Sequence, residues 1–312
     1  MNRKIKTIVS IFISLLILTL LIYKLQSFDN LLKIKITPLS IFIPILLFPI
    51  IKIINSFRFS QLYKVKFGLK LISLLSYSNM MLSIIPFRAG EFSYIHGFKK
   101  YFDIDYGKGT SKLFLVRFAD YITVYFIFLI SSFYVASNIS NEIVKLISII
   151  FFVSLIIFGL CLFIIKKISS NKINNLFVGN ILNNINHGID EITKTNNKDV
   201  LILLFLSFLY WFARLIMGFL ILITLNLHLD FLTYSFFSLI LLLIGLIPVK
   251  SFGDFGIFEG GWAIFLVNLG FNYEEVLPII FQYHLILFFI PITYGVIGFL
   301  ILKSYFNSNT LE

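Results

Sequence analysis

Few of this chain's ionisable side chains fall inside apolar stretches, and those that do are spaced alike. Glu91 is followed 26 positions later by Arg117, and Glu259 is followed 25 positions later by His284. Asp120 lies three residues beyond Arg117, on nearly the same helix face, where it is placed to orient the arginine. Arg88, Arg214 and Lys250 add positive charge in the same regions. Ionisable groups at membrane depth are costly and for that reason mark binding or transfer sites. Carboxylates that neutralise cations can release them to an anion, and arginine's planar fork matches phosphate bidentately. The alternative role for each glutamate is to compensate the positive end of a helix and to form an ion pair that fixes local structure. His284 can likewise titrate near neutral pH or serve as a hydrogen-bonded core residue.

The elements that carry these residues are interrupted by helix-breaking turns. Pro86-Phe87-Arg88-Ala89-Gly90-Glu91 separates an apolar arm over 71–85 from a second over 92–101. Pro248 to Glu259, with Gly253 and Gly256 inside it, separates an arm over 234–247 from one over 258–269. Each arm is shorter than the roughly 20 residues needed to span a bilayer. The economical reading is two re-entrant hairpins, about 71–101 and about 234–269, whose return arms begin near the midplane and aim unpaired N–H groups at the protein centre. Such a site suits an anion, and a phosphate-bearing lipid headgroup is the ligand class expected there.

The remaining sequence supplies the frame. Hydrophobic residues make up 59% of the 312, charged residues 13%, and Phe alone contributes 38; mean hydropathy is +0.96. These values describe an all-α polytopic membrane protein and exclude a soluble enzyme domain. The net charge of +11 lies mostly in short loops, so it reports topology and contact with anionic lipid, with no basic domain to hold nucleic acid. Spanning helices are expected at about 7–23, 39–57, 112–135, 143–165, 200–225 and 275–302, and an amphipathic helix on the cytoplasmic surface at about 172–192. The basic stretch from Arg58 to Lys70 reads as a loop. Placing the N-terminus inside puts eighteen Lys and Arg on the cytoplasmic face and four on the other. One transmembrane domain then covers residues 1–312, with a first half at 1–137 and a second at 138–304. The six spans and two hairpins form an inverted repeat with both termini cytoplasmic.

Other chemistry finds little support. Cys161 is the only cysteine, and His96, His187 and His228 are scattered, so no metal site or cofactor is expected. Asp103-Ile104-Asp105 could hold a metal in a transferase acting on a lipid-linked substrate, but a short loop before a helix favours turn and capping duties.

The two break motifs, with Arg117-Phe-Ala-Asp120 downstream, resemble the flippase-like membrane region of the lysylphosphatidylglycerol synthetases, over about Ile5 to Leu302. The resemblance implies a fold with re-entrant segments that moves phospholipids or polyprenyl-linked lipids between leaflets of the plasma membrane. Arg88, Glu91, Arg117, Asp120, Arg214, Lys250, Glu259 and His284 would line the path, and Pro86, Gly90, Pro248, Gly253 and Gly256 would shape the tips. Asp254 departs from the glycine-rich pattern of that family, and His284 stands where arginine is frequent. The synthetases' soluble aminoacyl-transferring domain has no counterpart after Leu302, so a separate enzyme would make any modified lipid. A transferase and a non-catalytic partner of a synthase remain the alternative readings.

Overall fold

The computed structural model describes residues 36–85, 89–135, 196–244 and 252–309, with residues 19, 149 and 153 as single positions. Apart from those positions, the helices expected at 7–23 and 143–165 and the surface helix at 172–192 lie outside the described residues. So do Pro86, Arg88, Pro248 and Lys250.

Among the described residues, two runs of four helices follow the same order of lengths. The first comprises α1 (Pro38–Tyr63), α2 (Leu69–Ile84), α3 (Phe92–Phe102) and α4 (Tyr106–Val135). The second comprises α5 (Asn197–Thr224), α6 (Phe231–Ile244), α7 (Ile257–Asn268) and α8 (Tyr273–Asn309). A short 3-10 turn precedes each return arm, Ala89–Glu91 before α3 and Phe252–Asp254 before α7. Among the described residues, α1, α4, α5 and α8 are long and apolar enough to cross a bilayer. Their outward faces carry exposed Phe42, Phe57, Phe133, Phe205 and Leu300, as a lipid-facing surface requires.

Local sequence explains the helix ends. Thr37 caps α1 by accepting the Ser40 N–H through its hydroxyl oxygen at 3.3 Å, with Pro38 at the first helical position. The helix then continues past Pro44 and Pro49 to Lys64, whose left-handed backbone (φ 55°) ends it. Asn196 caps α5 through the Lys198 N–H at 3.2 Å. Asp105 accepts the Gly107 N–H at 3.1 Å, and α4 starts at Tyr106, ahead of the expected start at about 112. Asp103 bonds Lys99 at 2.9 Å on the surface, so this pair of aspartates serves turns and helix ends.

The two short pairs are antiparallel. Gly90 lies against the backbone of Met81 and Leu82, Ser93 donates to the Ser78 carbonyl, and Gly97 meets the Leu74 side chain. As one chain number rises the other falls, which is the signature of a hairpin. In the second half Gly261 meets Leu241, and Phe265 stacks on Phe237 at 4.6 Å, in the same sense. Positive φ at Gly253 (61°), Asp254 (63°) and Gly256 (86°) makes the tight turn into α7. Glycine relieves the strain at two of these positions, and aspartate is among the few other residues that tolerate it.

Packing crosses between the halves. α2 packs on α8 and α6 packs on α4, while α1 lies along α5. The contact of α3 with α4 has its counterpart in α7 with α8. Each hairpin therefore leans on the last helix of the opposite half. One core forms from α5 to α8 with the inner faces of α1 and α4, and includes Trp211, Phe236, Trp262 and Tyr283. A second, around Phe59, Tyr63, Leu74 and Phe98, holds α1 to the first hairpin.

One expectation about the loops changes. α1 runs six residues beyond Phe57, so Arg58 belongs to a helix and is 1% exposed. Lys52, one of the eighteen Lys and Arg assigned to the cytoplasmic face, is 2% exposed. Hydropathy alone ends the helix at Arg58, but the carboxylate of Asp120 compensates that charge from α4.

Candidate functional site

A cavity of about 380 Å³ lies between the hairpins and the long helices α1, α4, α5 and α8. Lys52, Arg58, Arg117 and Arg214 line it, together with Glu91, Asp120 and Asp254. Glu91 and Asp254 come from the turns before α3 and α7, so both return arms begin at this space. The Phe252–Asp254 turn also touches α2, which brings the second break against the first hairpin.

Asp120 is the hub of the first half. Its Oδ1 accepts from Arg58 Nη2 at 2.5 Å and from the indole Nε1 of Trp211 at 3.0 Å. Its Oδ2 stands 3.5 Å from Arg117 Nη1. One carboxylate thus joins α1, α4 and α5, and its nearest cation is Arg58 from α1. Arg117 Nε lies 3.3 Å from Glu91 Oε1, closing the pair that the 26-residue spacing marks. Neither contact gives Arg117 a complete set of acceptors: Nε and Nη2 are buried without hydrogen bonds, as is Arg58 Nε. The guanidinium groups also stack on aromatic faces, Arg58 on Tyr210 at 4.7 Å, Arg117 on Tyr94 at 5.8 Å and Arg214 on Trp211 at 5.1 Å.

The second pair is built differently. Glu259 Oε1 is 2.7 Å from His284 Nδ1, and its Oε2 accepts the Gly256 N–H at 2.6 Å, a carboxylate reaching back to the start of its own helix. The rings of Phe255 and Phe258 pack against the imidazole, with centroids 4.4 and 4.3 Å from its own. Glu259 is 1% and His284 5% exposed, and neither lines the cavity, whereas Glu91 and Arg117 do. The two glutamate pairs therefore hold equivalent positions in their halves, one open to the cavity and one sealed behind it.

The structure brings Glu91, Arg117, Asp120 and Arg214 to one cavity, and pairs Glu259 with His284 outside it. Gly90 cannot carry a side chain without meeting the Met81 carbonyl and the Leu82 backbone, which accounts for glycine at the first turn. Sequence reasoning missed Lys52, Asn55 and Arg58, which share the inward face of α1. Their spacing of three from one to the next was the available signal.

Neither the curated proteins nor the solved structures gave a match to this chain. The family described as lysylphosphatidylglycerol synthase TM region matches residues 7–295. With several apolar helices around a charged interior, the protein is a multi-pass helical membrane protein, and the chain belongs to the lysylphosphatidylglycerol synthase transmembrane-region family.

Proposed function

We propose that the protein moves a phosphate-bearing lipid between membrane leaflets by alternating access to the central cavity. The observation that carries this reading is the assembly of four cations and three carboxylates around one space between the hairpins. A headgroup crossing hydrocarbon loses its hydration, and fixed cations replace it. The volume of about 380 Å³ suits a headgroup, falling in the range of roughly 300–1,000 Å³ typical of small-ligand sites. The acyl chains would remain in the bilayer.

The crossed packing of the halves supports an inverted repeat in which α2–α3 enters from the cytoplasm and α6–α7 from outside. At 16 and 11 residues, and 14 and 12, these arms reach about 17–24 Å, short of a hydrocarbon core of roughly 30 Å. In this mechanism Arg117 and Arg214, together with Arg88 and Lys250 from the sequence reading, attract the phosphate, and Glu91 and Asp120 take Arg117 back when the lipid leaves. The sealed Glu259–His284 pair anchors the second hairpin during the cycle. A partner enzyme would supply any modified lipid, and the plasma membrane is the site of action.

The test is transbilayer movement of a fluorescent phosphatidylglycerol in proteoliposomes. Wild-type protein accelerates it, while Glu91→Gln and Arg117→Ala abolish most of the acceleration. Unchanged movement in both variants would exclude this assignment.

A further inference from the structure

Among the cavity's cations, two are not neutralised. Arg58 and Arg117 have Asp120 and Glu91, but Lys52 and Arg214 have no carboxylate within ion-pair distance among the described residues. Lys52 is 2% exposed and packs its ammonium over the Phe48 ring at 4.7 Å. Arg214, on α5, is exposed and lines the same cavity, as does Arg117. Asn55, three residues on from Lys52 and also buried, brings an amide to the same space. An unpaired ammonium at such depth is expensive, and a second cation beside it adds to the cost. An anion between the two removes both penalties.

We propose that Lys52 and Arg214 form the anion seat of the cavity, taking the phosphate of a net-negative headgroup, with Asn55 bonding a neighbouring polar group. Arg214 at the accessible end meets the phosphate first, and Lys52 holds it at depth. Arg58, paired with Asp120, keeps the wall assembled. The assignment rests on the reading of the cavity as an anion site, but it can fail separately from transport.

The full chain in detergent is titrated with dihexanoyl phosphatidylglycerol, dihexanoyl phosphatidylcholine or inorganic phosphate. Binding is followed by intrinsic fluorescence, since both tryptophans, Trp211 and Trp262, line the cavity. Phosphatidylglycerol gives a saturable change, and phosphatidylcholine binds more weakly. Lys52→Gln and Arg214→Gln each weaken phosphatidylglycerol binding by about tenfold or more, the worth of one charge-assisted contact, and Lys52→Arg restores most of it. Competition by inorganic phosphate identifies the phosphate itself as sufficient, and its absence makes the glycerol headgroup necessary; either result supports the seat. In wild-type protein, bound phosphatidylglycerol also shields Lys52 from reductive methylation, a reading independent of any variant's folding. Equal binding of the two lipids, undiminished affinity in Lys52→Gln, or undiminished methylation of Lys52 would overturn the proposal. Lipid movement that survives with the seat disabled removes this site alone, and intact binding without lipid movement removes the transport reading alone.

Discussion

At the scale of single residues, the centre of the molecule is an economy of shared carboxylates. Asp120 serves Arg58, Arg117 and the Trp211 indole at once. Replacing it with asparagine leaves Arg58 buried with its charge uncompensated, and losing one member of a buried pair typically costs about 3–5 kcal/mol. Asp120→Asn is therefore expected to lower the unfolding temperature in detergent strongly. The double variant Arg58→Met with Asp120→Leu should recover much of that loss, because it removes both charges and fills a similar volume. A double variant as unstable as the single one would show that the Trp211 bond, and not the charge, sets the cost. The Glu259–His284 pair makes a parallel prediction. Glu259→Ala strips the bonds to His284 and the Gly256 N–H together, whereas Glu259→Gln can still accept from the Gly256 amide. Thermal unfolding should rank alanine below glutamine by about 1–2 kcal/mol, the worth of a retained buried hydrogen bond.

At the scale of elements, each hairpin depends on the closeness of its arms. A methyl group at Gly90 meets the Met81 carbonyl and the Leu82 backbone, neither of which can rotate away, while one at Gly68 meets nothing. Gly90→Ala should destabilise the protein by about 1–3 kcal/mol, in the range of overpacked sites, and slow lipid movement; Gly68→Ala should do neither. Protease susceptibility in detergent and the proteoliposome assay check both. The two helix breaks were legible in the sequence because proline, glycine and charge cannot persist inside an apolar helix without cause. The spacing from Glu91 to Arg117 was informative for the same reason: a short return arm and a tight connection leave the glutamate opposite the first turns of the following long helix. Arg58 was not legible. Its burial is set by Asp120, 62 positions away, and a local count of charge and hydropathy reads an uncompensated arginine as a helix end. Lys52 was hidden by the same rule, which assigns a lysine near the end of an apolar run to the nearest loop. The sequence also weighted the two glutamate pairs equally. Their difference in exposure arises from the Phe255 and Phe258 rings that close over His284, a packing detail that spacing does not encode.

At the scale of the whole molecule, the proposed inverted arrangement makes a claim about sidedness. The connections at 64–68 and 103–105 should face the cytoplasm, and those at 225–230 and 269–272 the outside. In a Cys161→Ser background, a membrane-impermeant maleimide added to intact cells should label His228→Cys and Glu275→Cys, but not Lys66→Cys or Lys108→Cys. Labelling of all four positions would rule the arrangement out. The membrane class itself was plain from composition, since an apolar content of 59% leaves no other solvent for so much exposed surface. The pairing of α2 with α8 and of α6 with α4 was not, because it requires helices far apart in sequence to choose each other, and apolar faces in lipid carry little information about partners.

Because α2 rests on α8 and α6 on α4, neither half owns a complete interior. A chain cut between 136 and 195 would yield two fragments, each with a hairpin lacking its backstop, and reassembly would require each to lend its arm to the other.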